Sequence, residues 1–126
     1  LTIIGDGPEK QSLVDFVKNN ELKVEFLGKL SHEKVVSELQ RHDIYLHTSV
    51  KESFSFSLLE AKLTGLKTCA YEKLQVPSQF IDVAIGTFDV DAWCNGILNI
   101  KWIPDEFNAD NYTVEKMVQM TLKLAR

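Results

Sequence analysis

The sequence predicts an α/β domain: a parallel sheet flanked by helices. Two observations carry that reading. Short β-branched and apolar runs alternate regularly with amphipathic segments along the chain, and Gly, Asn and Asp fall at the junctions. Alternation of this kind builds βαβ units, because a parallel connection has to cross the sheet and a helix makes the crossing.

Taken in order, residues 1–4 are apolar and β-branched, and Gly5-Asp6-Gly7 ends the run. Pro8 then suits the first helical position, with Glu9 in the first turn, and Leu13, Val14, Phe16 and Val17 supply an apolar face closed by Asn19-Asn20. Residues 24–27 read as a second strand stopped by Gly28. Ser31 can cap a second helix whose apolar face is Val35, Val36 and Leu39. Residues 43–48 read as a third strand. A third helix runs from Phe56 or Ser57 to Thr64, with Gly65 past its end. Residues 67–71 are a fourth strand and residues 83–85 a weaker fifth. Residues 89–100 read as helix through Trp93, Ile97 and Leu98, against the preference of Gly96. Residues 102–112, with Pro104 and several Asn and Asp, read as loop. Thr113 can cap a last helix over about residues 113–125, with Val114, Met117, Val118 and Leu122 on one side.

At 126 residues the chain suits one domain with a real core, so residues 1–126 are expected to form a single domain. Apolar residues make up 44% and charged residues 25%, the globular norm. The net charge of −4 argues against a nucleic-acid partner, which asks for a basic stripe. Cys69 and Cys94 lack CxxC spacing, so reduced, buried thiols and a cytosolic setting are expected. No run of 18 apolar residues spans a membrane, and the start carries no signal peptide. Because residues 1–4 read as a strand already under way, the chain is expected to be a fragment lacking an N-terminal part.

The chemistry concentrates in Glu52-Ser-Phe-Ser-Phe-Ser-Leu-Leu-Glu60, two carboxylates separated by seven residues across a strand–loop–helix junction. Such junctions hold anionic ligands at the helix N-terminus, and a carboxylate on each side adds acceptors for hydroxyls. Glu60 has two readings. Ser57-x-x-Glu60 matches a capping box, in which Glu60 serves only the helix. The same carboxylate can instead accept from two neighbouring ribose hydroxyls. Glu52 alone reads as a solvated partner of Lys51. Phe54 and Phe56 suggest a loop folded against something with its amides turned inward, while Ser53, Ser55 and Ser57 add hydroxyls without bulk. Gly5-Asp6-Gly7 carries two glycines of the GxGxxG fingerprint, with Lys10 where the third would stand; a plain turn and a ligand contact both fit. His47 lies at the C-terminal end of a strand, where open α/β sheets bind ligands, but a satisfied structural histidine fits as well. His32, His42 and His47 lack metal-ligand spacing, and no nucleophile elbow is present.

With these segments in this order, the chain resembles the C-terminal donor-binding domain of GT-B glycosyltransferases, in particular the large retaining family four. Leu-Thr-Ile-Ile-Gly-Asp-Gly-Pro-Glu at the start, Val-Glu-Phe-Leu-Gly-Lys-Leu ending at Leu30, Asp-Ile-Tyr-Leu-His-Thr-Ser ending at Ser49 and the Glu52–Glu60 pair carry the resemblance. It covers residues 1–71 well and is loose beyond. It implies a Rossmann-like sheet, the C-terminal half of a GT-B fold, that binds a nucleotide-diphosphate sugar for transfer, with retained configuration, to a glycan or lipid-linked acceptor. Glu52 would lie at the sugar and the reaction centre. Glu60 would hold the ribose, amides around Phe56, Ser57 and Leu58 would face the diphosphate, and Ser55 would belong to the donor-binding residues. Ser53 and Phe54 complete the donor loop, Gly5 and Gly7 form the glycine-rich turn, and Lys29 and Leu30 border the base. No metal or other cofactor is implied. The partner would be an N-terminal acceptor-binding domain, and the place cytoplasmic, including the cytoplasmic face of a membrane.

Two departures stand out. The family pattern has glycines after the first Glu and after the next aromatic, where this chain has Ser53 and Ser55. The diphosphate-gripping Arg and Lys of the family lie upstream of the first strand. Two alternatives are a non-catalytic α/β interaction domain and a GT-B sugar-nucleotide epimerase relative.

Overall fold

A computed structural model describes residues 1–102 and 107–113. They fall into two compact units, Leu1–Arg41 and His42–Arg126, each taken by itself below. The expected last helix lies outside the described residues.

In the first unit, β1 (Thr2–Ile4) pairs in parallel with β2 (Glu25–Gly28). The connection is α1 (Lys10–Asn19), and α2 (His32–Leu39) follows β2. Pro8 does not open the helix as expected. The Lys10 amide donates to Gly7 O at 3.1 Å, so Pro8 and Glu9 form a tight turn and Glu9 becomes the N-cap. Val14 and Val17 are partly buried, whereas Leu13 and Phe16 stay exposed, so the apolar face of α1 is narrower than its sequence suggests. Ser31 does precede α2, but its hydroxyl makes no capping bond.

The second unit is built on three parallel strands in the order β3 (Ile44–His47), β4 (Lys67–Tyr71), β5 (Val83–Ile85). α3 (Phe56–Leu63) crosses from β3 to β4, and α4 (Val90–Leu98) follows β5. A short 3-10 turn at Ser78–Phe80 lies between β4 and β5, and another at Ala109–Tyr112 interrupts the stretch that reads as loop. Side chains on a strand alternate between faces, and that alternation divides the core. Tyr45 and Ala70 pack with Leu58, Leu59, Phe80 and Tyr112 on the α3 side. Ile44, Leu46 and Cys69 pack with Ile85, Trp93 and Ile100 on the α4 side. A sheet covered on both faces is the Rossmann-like arrangement the sequence predicts. His47, two residues after Tyr45, falls on the α3 side.

Local chemistry sets the helix ends. Gly65 has φ +86°, its amide donates to Lys62 O, and the Leu66 amide donates to Ala61 O, the paired bonds of a Schellman stop. Asp89 caps α4 through the Ala92 amide at 3.0 Å. Gly96 is tolerated inside α4 because the helix crosses β5 closely: a Cβ there would lie 3.1 Å from Ile85 Cδ1 and 3.2 Å from Val83 Cγ1. Lys62, buried on α3, reaches Asp82, which also accepts from the Thr68 amide at 2.7 Å. Cys69 is buried as expected, but Cys94 is exposed on α4; both are free thiols. Among the described residues no helix is long and apolar enough to cross a membrane.

Candidate functional site

β3 delivers the site. Its last residue, His47, is buried, and the chain then turns through Ser49 and Lys51 to Glu52. Ser49 Oγ donates to Lys51 O at 3.1 Å, which tightens that turn. Glu52 Oε1 lies 3.3 Å from His47 Nε2. The pair is close enough for charge interaction but is not aligned as a hydrogen bond, and Nε2 is buried without another partner. Burial holds the His47 pKa below its ordinary value, against the opposing pull of Glu52, so the imidazole is neutral near pH 7.

The loop from Ser53 to Ser55 is held by one aromatic. Phe54 packs edge-on against Phe80, with ring centroids 5.4 Å apart, and also against Phe56 at 5.1 Å. Phe56 itself, the first helical residue, is exposed, so Phe54 is the ring that folds the loop against the core. Ser55 is buried in the left-handed region, φ +62° and ψ +88°. There a Cβ costs roughly 1–2 kcal/mol, which is the physical reason a glycine suits this position.

Ser55 is also the N-cap. Its Oγ accepts from the Leu58 amide at 3.4 Å and contacts Ser57 Oγ at 3.2 Å. This overturns the capping box expected at Ser57. With the cap two residues earlier, Ser57 is the second residue of α3 and Glu60 the fifth, so Glu60 is out of step with the box. The same shift removes the Leu58 amide from the expected anion-binding set, because Ser55 satisfies it. The amides of Phe56 and Ser57 remain at the open end of the helix, where a helix has no internal acceptor for them.

Sequence reasoning misses Tyr45 as a site residue, although its i, i+2 spacing to His47 on a strand signals a shared face. Its ring stacks on the His47 ring, with centroids 6.0 Å apart and planes 28° apart. Burial raises its pKa, interaction with the Ser57 hydroxyl opposes that, and the negative charges of Glu60 and Glu52 raise it further. One phenol thus lies within electrostatic reach of both carboxylates. Beside Glu52 opens a cavity of about 480 Å³ lined by Val50, Lys51, Glu52, Ser53, Lys73 and Gln75. Lys73 and Gln75 come from the segment after β4 and are invisible to any local motif. Among the described residues no cluster of His, Cys, Asp or Glu is arranged to hold a metal ion.

The remaining expected positions belong to the first unit. Gly5 has φ +136°, its amide donates to Gly28 O at 2.8 Å, and no atom lies within 4 Å of where a Cβ would stand on Gly5 or Gly7. Asp6 pairs with Lys10 at 3.3 Å, so the residue in the third glycine's place stabilises the turn. Lys29 is exposed and Leu30 half-buried, immediately after β2.

With this geometry in view, comparison with known proteins is decisive about the family. The model of glycosyl transferases group 1 matches residues 1–91. The chain belongs to that family. Domains of the family bind nucleotide-sugar donors. The chain is 39% identical over 66 residues to the phosphatidylinositol N-acetylglucosaminyltransferase GPI3 subunit of Saccharomyces cerevisiae (strain ATCC 204508 / S288c), covering 51% of this chain and 15% of that protein. It is 39% identical over 68 residues to the phosphatidylinositol N-acetylglucosaminyltransferase gpi3 subunit of Schizosaccharomyces pombe (strain 972 / ATCC 24843), covering 52% and 15%. It is 41% identical over 68 residues to N-acetyl-alpha-D-glucosaminyl L-malate synthase of Bacillus anthracis, covering 52% and 17%. The chain therefore spans less than a fifth of the length of these relatives.

Proposed function

We propose that this chain is the donor-binding domain of a retaining glycosyltransferase that takes a nucleotide-diphosphate sugar and transfers the sugar to a glycan or lipid-linked acceptor. The observation that carries the reading is the bracketing of the α3 N-terminus by Glu52 and Glu60, with the capping duty moved to Ser55. Glu60, out of step with the box, is read as the acceptor for the vicinal hydroxyls of a ribose. The Phe56 and Ser57 amides, at the positive end of the helix, face the diphosphate. Glu52, at the edge of the cavity, accepts sugar hydroxyls and lies next to the bond being broken. In the reaction the bond from the anomeric carbon to the phosphate oxygen breaks, the nucleoside diphosphate leaves, the acceptor oxygen bonds to the same face, and the acceptor's proton passes to the departing diphosphate. Donors aimed at the leaving phosphate stabilise its growing charge.

The cap geometry also weighs against the interaction-domain alternative, which needs Ser57 and Glu60 locked together and no cleft beside the acids. The N-acetylglucosaminyl group in the names of three relatives puts nucleotide-linked N-acetylglucosamine first among donors to try. The acceptor, the N-terminal domain as partner, and a site of action at the cytoplasmic face of a membrane belong to the same proposal.

Titration of the labelled chain with uridine, guanosine and adenosine diphosphate sugars tests it by NMR. Weak binding should shift amides over residues 55–60; shifts confined to other regions would refute the site. The 126-residue chain by itself should transfer little or no sugar, and robust transfer by it would contradict a donor-binding half-site.

A further inference from the structure

We infer that His47 is the positioning residue for Glu52, acting on the donor sugar through that carboxylate without touching the ligand itself. The inference rests on the donor-site reading above and deepens it. Four observations converge on it. His47 is 8% exposed and does not line the cavity, whereas Glu52 is part-exposed and does. The two meet at 3.3 Å through Nε2 and Oε1. Nε2 is a buried polar atom with no aligned hydrogen bond, an arrangement that is unfavourable unless something offsets it. The ring also stacks on that of Tyr45, with centroids 6.0 Å apart.

A buried neutral imidazole with a fixed plane and one carboxylate in reach has one use there: its N–H sets the direction of that carboxylate. Hydrogen bonds within binding sites are often long or misaligned until the ligand arrives, and tighten with it. A sugar hydroxyl donating to the far oxygen of Glu52 would draw the carboxylate into line with Nε2. The imidazole stays behind the carboxylate, out of reach of the sugar, and that separation gives the pair its signature: loss of His47 should weaken binding of the sugar part of the donor and spare the nucleotide part.

The experiment is a double-mutant cycle on the full chain. The probes are UDP-N-acetylglucosamine and UDP, with the guanosine and adenosine pairs run in parallel. His47→Leu should weaken binding of the sugar nucleotide by about tenfold, the worth of one charge-assisted hydrogen bond, and leave the bare diphosphate within about twofold. His47→Gln, which retains an N–H donor, should recover most of the loss. In a Glu52→Gln background His47→Leu should add little. Equal weakening of both probes, or the full loss repeated on Glu52→Gln, would overturn the inference. If no nucleotide binds the wild type, the donor-site reading fails, and the pair is still read without ligand: Glu52→Gln should move the His47 imidazole ¹⁵N resonances, and unchanged resonances would refute the pairing.

Discussion

Lys62 Nζ lies 2.9 Å from each carboxylate oxygen of Asp82. The lysine stem is buried, and Asp82 Oδ2 also accepts from the Thr68 amide and, at 3.0 Å, from its hydroxyl. The pair therefore ties α3 to the segment entering β5, beside the N-terminal end of β4. Removing Asp82 takes that carboxylate from the buried Lys62 and also from Lys67, whose Nζ lies 3.7 Å from Asp82 Oδ1, whereas replacing Lys62 and Asp82 together removes the closest pair of buried charges. Asp82→Ala should cost roughly 3–5 kcal/mol in urea unfolding, and Lys62→Met combined with Asp82→Asn much less. A double variant as unstable as Asp82→Ala would contradict this account.

The same pair gives a pH dependence. Burial would raise the Asp82 pKa, but the bonds from Lys62 and Thr68 and the Lys62 charge outweigh it and hold the carboxyl below its ordinary value. Its contribution is thus fully present above the unfolded value of 3.8 and is lost as pH falls through the lower folded value. His47 adds a separate window. Its folded pKa lies below 6.5, so the unfolded chain binds more protons, and stability falls as pH drops from about 6.5 towards the folded value. His47→Gln should remove that slope. Unfolding free energies at pH 7.5 and 5.5 check it; a wild-type-to-variant difference that is the same at both would show that His47 is not held neutral by burial.

Ser55 has the left-handed backbone of a glycine and the capping hydroxyl of a serine at once. The two roles separate by substitution. Ser55→Ala keeps the strained φ and loses the cap, and should destabilise by about 1 kcal/mol. Ser55→Gly gives up only a few tenths for the cap and relieves about 1 kcal/mol of strain, so it should be neutral or stabilising. Chemical denaturation of the two variants decides the order; both lack the hydroxyl, so glycine less stable than alanine would mean that the left-handed backbone at residue 55 stores no strain for glycine to relieve.

Much of this protein is legible along the chain. β4 and β5 fall on the expected residues, and Gly65 ends α3 where its lack of a Cβ predicts. Those features depend on residues near in sequence: short apolar runs, and a glycine where φ must be positive. The Glu52–Glu60 spacing is likewise a local pattern. Register and partnership are not local. Nothing in Ser-Phe-Ser-Phe-Ser says which serine caps α3; Ser55 does because Phe54 is anchored on Phe80, 26 positions away in the chain.

Sequence by itself determined the α/β class, the family and the position of the acidic pair, because alternation, turn residues and motif spacing are written along the chain. Tertiary structure alone decided that Glu60 is out of the capping box, that His47 Nε2 comes within 3.3 Å of Glu52, that Lys73 and Gln75 wall the cavity, and that Lys62 pairs with Asp82. Each of those contacts joins elements brought side by side by sheet pairing and core burial, and its energy depends on distance in space, which separation along the chain does not encode.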